Sequence, residues 1–167
     1  MTQTNLIAAA ISAMQQAYAP YSDFQVGAAL LTKSGKIFMG SNIENASYGG
    51  TVCAERTAFF SAVHSGEREF QAIAIVGGKD GILREFAPPC GICRLVMREF
   101  CDYSFEIILH DGSKAKAFTL ADLLPFSFGP EKLNRTPPIK EESPCECMTR
   151  SRKNVTAFLS PPPKSNF

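Results

Sequence analysis

Cys53 and Glu55 stand two residues apart in TVCAERTAFF with Arg56 next, and two further thiols, Cys90 and Cys93, stand three apart in PPCGICRLVMREF. Thiols three apart share a helix face. At a helix N-terminus the unpaired N–H groups and the helix dipole favour thiolates. Three thiolates can hold one tetrahedral zinc and leave its fourth position to water, which marks a catalytic rather than a closed structural site. Residues two apart point to different sides of a helix, so Cys53 must occupy the extreme start, its sulfur directed off the end. Glu55 then lies beside the metal, within reach of an activated water, where a general acid/base belongs. The chemistry would be hydrolysis, with Glu55 carrying protons between water and substrate. Arg56, three residues after Cys53, faces the same way and would donate to the thiolates.

Plainer readings exist for each group. A lone C-x-x-C also arises in redox pairs and by chance. Core thiols beside a solvent-facing Glu55 and a surface Arg56 would look the same in sequence. A zinc that only staples two helices would need no carboxylate at position 55. Cys101, His64 and His110 are isolated toward the far ends of their elements and offer no paired fourth ligand.

The elements that must position these groups follow from periodicity. Leu6, Ala9, Ala10, Ala13, Met14 and Ala17 predict a helix over residues 4–18. QVGAALLT and KIFMGSN read as strands joined by a KSG hairpin. Residues 52–64 and 90–100 read as helices, LADLL as a short closing helix, and QAIAIVGG and SFEIILH as strands, a DG turn following the second. A hairpin followed by alternating helices and strands predicts an α/β fold with a mixed sheet and helices on both sides. Both cysteine-led helices begin where strands end, the place where such folds collect ligands.

Bulk composition narrows the setting. At 167 residues, 45% hydrophobic and 20% charged, the chain suits one globular domain. A net charge of +1 gives no footprint for nucleic acid or an anionic membrane. No apolar run reaches membrane-span length, and the N-terminus has amphipathic spacing rather than a signal peptide's basic region. A reducing cytoplasmic location follows, where six cysteines serve as metal ligands or structural thiols. Residues up to 128 hold ten basic and twelve acidic side chains, whereas the remainder carries seven of the 11 prolines and an excess of basic charge. Residues 136–167 are therefore expected to be a Pro-rich disordered tail, in which Cys145 and Cys147 are an unpromising metal pair.

Joined together, Cys53-x-Glu55 and Pro89-Cys90-x-x-Cys93 match the zinc-deaminase pattern in its three-cysteine form. With YAPYSDFQVGAAL, GSNIENASYGG and LLPFSFGPEKL, the chain resembles the small cytidine deaminases over about residues 5–135. That resemblance implies a three-layer α/β/α domain over residues 1–135 and a homotetramer with composite active sites, one zinc per subunit. It also implies conversion of cytidine or deoxycytidine and water to uridine or deoxyuridine and ammonia, a salvage reaction. By the same resemblance Asn42 and Glu44 would bind the ribose hydroxyls and Phe24 would pack on the base. The backbone of Ala54 would contact the pyrimidine, and Glu55 would protonate N3 before serving the leaving ammonia. Phe128 would reach into a neighbour's site, and Tyr48 would sit at a subunit interface. Without the resemblance, an exposed polar strand edge explains Asn42 and Glu44, and core packing explains Phe24 and Phe128. A carboxylate at the sugar would repel a 3′-phosphate, so a free nucleoside is expected rather than a nucleotide or nucleic acid.

Overall fold

Leu6, Ala10, Ala13 and Met14 form the buried stripe of α1 (Gln3–Met14) in a computed structural model that describes residues 2–133. The expectations for residues 136–167, including Cys145 and Cys147, lie outside the described residues. The remaining elements are β1 (Phe24–Thr32), β2 (Ile37–Ser41), α2 (Ala54–His64), β3 (Phe70–Lys79), α3 (Gly91–Phe100), β4 (Glu106–His110), β5 (Ala115–Thr119) and α4 (Leu120–Leu123). Helix α1 stops short of residue 18. The Tyr18 N–H donates to the Asn42 carbonyl at 2.9 Å and the Tyr18 carbonyl accepts from Glu44 N–H at 2.8 Å. Pairing with the segment after β2 thus outweighs the helical spacing of Ala17.

The sheet order is β2-β1-β3-β4-β5, with β3 and β4 parallel and every other pair antiparallel. Successive residues divide between two cores, as alternation along a strand requires. Ala28, Leu30, Ile73, Ile75, Ile107 and Leu109 face α2 and α3, while Ala29, Leu31, Ala72, Ala74, Val76 and Ile108 face α1. This is the expected three-layer α/β/α arrangement around a mixed sheet. Strand β5 is an addition that the periodicity does not predict. Its residues are mostly exposed, and it forms because the Asp111 carboxylate accepts from the Ser113 and Lys114 N–H groups, both at 2.8 Å, and turns the chain back onto β4.

Two glycines set how closely the helices approach. A side chain at Gly27 would collide with the backbone of Ala10 and Met14, and one at Gly40 with Ala54 O and Ala58 N. Gly40 therefore fixes the seat of the first turn of α2, the turn that presents Glu55. Gly40→Ala should lower thermal stability by about 1–3 kcal/mol, a fall of roughly 3–10 °C in the unfolding midpoint. Differential scanning calorimetry checks this, and an unchanged midpoint would show that α2 can move away freely.

Candidate active site

Strands β2 and β3 run the same way with β1 reversed between them, so the ends of β2 and β3 and the start of β1 share one edge. There Phe24 is paired with Lys79 and Gly27 with Ser41. Helices α2 and α3 both begin at this edge. Cys53 is the N-cap of α2 and Cys90 the N-cap of α3, each with extended backbone and with a carbonyl that accepts the first helical bond, from Thr57 and Arg94. Neither sulfur caps its own helix, which leaves both directed off the helix ends.

The Cys53 and Cys90 sulfurs lie 3.7 Å apart and those of Cys90 and Cys93 3.6 Å apart, and all three lie within 4.8 Å of one another. Sulfurs at about 2.3 Å from a tetrahedral zinc stand about 3.8 Å apart, so the spacing fits that ion. It is far too long for disulfides. Among the described residues this is the one cluster of metal-ligating side chains. The Arg56 guanidinium donates from Nη2 to the Thr51 carbonyl at 2.9 Å and to Cys53 Sγ at 3.6 Å. Arg94, which the sequence reading passed over, donates to the Pro89 carbonyl at 2.7 Å and to the Leu123 carbonyl at 2.6 Å. It ties the Pro-Pro-Cys turn to α4 and so steadies Cys90.

Electrostatics set Cys53 and Cys93 apart. A hydrogen bond from Cys93 and the guanidinium of Arg56 bring the Cys53 thiol down to about 5. Cys93 is pushed far up, because its hydrogen bond to Cys53 and its burial both oppose losing the proton. Glu55 is 4% exposed. Burial, reinforced by the nearby Cys53 sulfur, raises its carboxyl to about 7, where it can both take and give a proton near neutrality.

A cavity of about 470 Å³ opens over this floor, lined by Phe24, Val26, Asn42, Thr51, Cys53, Glu55 and Cys90 on one side. Its other wall, Glu85, Phe86, Ala87 and Pro88, was not singled out in the sequence. Asn42 is buried, and its side chain braces β1, accepting from Val26 N–H and donating to the Phe24 carbonyl, both at 2.8 Å. Ala54 is buried at the start of α2. Glu44 lies in an adjoining hollow of about 370 Å³ with Tyr21, Ser22, Tyr48 and Thr51, Thr51 bordering both spaces. The Glu44 carboxylate accepts from the N–H groups of Tyr21 and Ser22 at 2.9 and 3.2 Å and from the Ser22 hydroxyl. Those bonds, the Ser22 hydroxyl first, hold its pKa below the usual range. The structure thus gathers Cys53, Cys90, Cys93, Glu55, Arg56, Phe24 and Asn42. It sets Glu44 and Tyr48 next door and keeps Phe128, 66% exposed, outside both spaces.

Residues 1–108 match the family model described as the cytidine and deoxycytidylate deaminase zinc-binding region. The chain therefore belongs to the zinc-dependent cytidine deaminase family. The cytidine deaminase of Sporosarcina psychrophila is 47% identical over 135 residues, covering 80% of this chain and 96% of that protein. That of Halalkalibacterium halodurans is also 47% identical, covering 80% of this chain and 99% of its own. The crystal structure of cytidine deaminase from Burkholderia pseudomallei superposes with a TM-score of 0.71 at 49% identity, over 77% of this chain and 100% of that one.

Proposed function

We propose that the chain deaminates cytidine and deoxycytidine hydrolytically, giving uridine or deoxyuridine and ammonia in pyrimidine salvage. The observation that carries this reading is the buried Glu55 carboxyl beside three zinc-spaced sulfurs on the floor of a cavity large enough for a nucleoside. Cys53, Cys90 and Cys93 would hold the ion, which when bound supplies a Lewis acid that makes water a nucleophile near neutral pH. Glu55 takes the proton that this water loses and delivers it to N3 of the pyrimidine as C4 is attacked. Glu55 then moves the proton of the new C4 hydroxyl to the amino nitrogen, and the C4–N bond breaks to release ammonia. Phe24 packs against the base, and Asn42, with one lone pair and one N–H still free, turns toward the sugar. Glu44 has about one lone pair, on Oε1, left for a sugar hydroxyl after its three hydrogen bonds.

Among the described residues, the ionisable side chains lining the two spaces are the carboxylates Glu44, Glu55 and Glu85, the thiols Cys53 and Cys90 and the phenols Tyr21 and Tyr48, with no Lys or Arg. A phosphate would meet like charge at every ionised wall, which supports a free nucleoside as substrate. The reading extends to a homotetramer in which Phe128 completes a neighbour's cavity and Tyr48 lies at an interface. Their exposures of 66% and 74% support surface roles. Residues 1–135 would carry the activity and residues 136–167 would be an appended tail, in a cytoplasmic enzyme. No helix of the described residues is long and apolar enough to cross a membrane.

Loss of ultraviolet absorbance with cytidine, deoxycytidine, CMP and a cytosine oligonucleotide tests the proposal. Both nucleosides should react, with kcat/KM for CMP and the oligonucleotide lower by about tenfold or more, the equivalent of about 1.4 kcal/mol of repulsion. Turnover of CMP at or above the rate for cytidine would reject the nucleoside assignment.

A further inference from the structure

The loop over residues 125–129 holds a shape that its sequence does not favour. Phe126 has φ of +52°, the left-handed region that a bulky aromatic enters only when its surroundings impose it. Its ring is fully exposed, so no packing of that ring among the described residues explains the strain. Three side chains fix the loop from beneath. The Tyr103 hydroxyl lies 3.0 Å from the Ser127 carbonyl, to which it donates, and accepts from the Ser127 N–H at 3.2 Å. Arg98, near the end of α3, is 7% exposed and lays its guanidinium over the Tyr103 ring at 4.5 Å. Its Nη2 pairs with the Glu131 carboxylate at 2.5 Å, and its Nη1 reaches the Cys101 carbonyl at 3.4 Å. A Cβ on Gly129 would strike this guanidinium, so the chain passes directly across it.

A buried cation costs free energy that an apolar residue of similar size would avoid. What the cation adds here is geometry, because its planar fork holds Tyr103 on one face and Glu131 at its edge. We infer that Arg98, Tyr103 and Glu131 form a clamp that presets the 125–129 loop for a second copy of this chain, with Arg98 the positioning residue for Phe128. The inference rests on the reading, given above, that Phe128 completes a neighbour's substrate cavity. Helix α3 carries Cys93 near its start and Arg98 near its end, so the loop and the metal cluster hang from one rigid rod. A preset loop reaches the neighbour without an ordering cost at each substrate encounter.

The chain contains no tryptophan. Phe128→Trp therefore gives a single fluorophore at the loop tip. Its anisotropy in the assembled enzyme should fall when Arg98→Met or Glu131→Ala is added. Steady-state kinetics on cytidine supply the second readout. Phe128→Ala, Arg98→Met and Glu131→Ala should each raise KM about threefold or more with kcat within about twofold, and Arg98→Met should add nothing in the Phe128→Ala background, as expected for coupled residues. A purely structural role would instead reduce the active fraction and hence apparent kcat, leaving KM alone. Glu131, half-exposed, carries the test if Arg98→Met fails to fold. If Phe128→Ala raises KM but neither clamp variant does, or if the effects add, the clamp is refuted and the reading of Phe128 stands. If Phe128→Ala leaves KM unchanged, the reading of Phe128 falls and the clamp's role falls with it.

Discussion

Glu55→Gln should lower kcat on cytidine by about 10²–10⁴-fold, the usual contribution of a general acid/base, while zinc content and thermal stability hold. The carboxyl is buried at 4% exposure among Cys53, Arg56 and the cavity wall. Glutamine fills the same volume, so no cavity opens and no helix moves. What disappears is the ability to exchange a proton, which the burial-raised carboxyl has near neutral pH. An alanine would be a poorer probe, because it would also empty space beside the sulfurs. Metal analysis by plasma emission alongside the rate assay separates the two possible roles. A Glu55→Gln protein that keeps its zinc and loses its rate supports proton transfer. One that keeps both within about tenfold would leave zinc as a staple between α2 and α3 and remove the catalytic assignment.

The parts of this site that were legible in the sequence are those set by local spacing. Cys53, Glu55 and Arg56 sit in one helical turn, and Cys90 and Cys93 in another, so their relative directions follow from helix geometry alone. The core strands were legible as well, since β3 is buried at every position between its exposed Gln71 and Lys79. The far wall of the cavity was not. Residues 85–88 come over the site because Gly77 and Gly78 let the chain fold back closely: a Cβ at Gly78 would meet Ile82 O, and one at Gly77 would lie 2.9 Å from Ala87 Cβ. Two adjacent glycines in a strand do not announce which loop will cover them. Glu44 shows the same limit. Its alternation with Asn42 placed the two on one face, but the strand ends at Ser41, and long-range bonds to Tyr21 and Ser22 draw Glu44 into the adjoining hollow. Strand β5 escaped because exposed residues carry little periodic signal.

Cys93→Ala should abolish measurable turnover, a loss of more than about 10³-fold when a catalytic metal is removed, and should leave the purified protein short of zinc. Cys93 is the most buried of the three thiols at 1% exposure, and it packs in the core that joins α2 and α3. Its sulfur lies against that of Cys53, which is brought down to about 5 while Cys93 itself is pushed up. Thiols so crowded do not all ionise on their own, and a dication is what makes three thiolates compatible at 3.6–3.7 Å. Two thiolates would leave the ion open to chelators and free to shift away from Glu55. Cys101→Ala is the matched control, since that thiol is also buried but stands apart from the cluster, where burial first and the Asp102 charge second raise its pKa. It should lower stability by about 1 kcal/mol, the typical cost of a core truncation this small, and leave zinc content untouched. Dialysis of the unmodified enzyme against a chelator should reproduce the loss seen with Cys93→Ala, and added zinc should restore activity to the unmodified chain alone. If Cys93→Ala regains full turnover at stoichiometric zinc, the third sulfur is not a ligand, and Cys53 and Cys90 would have to be completed by a group other than Cys93.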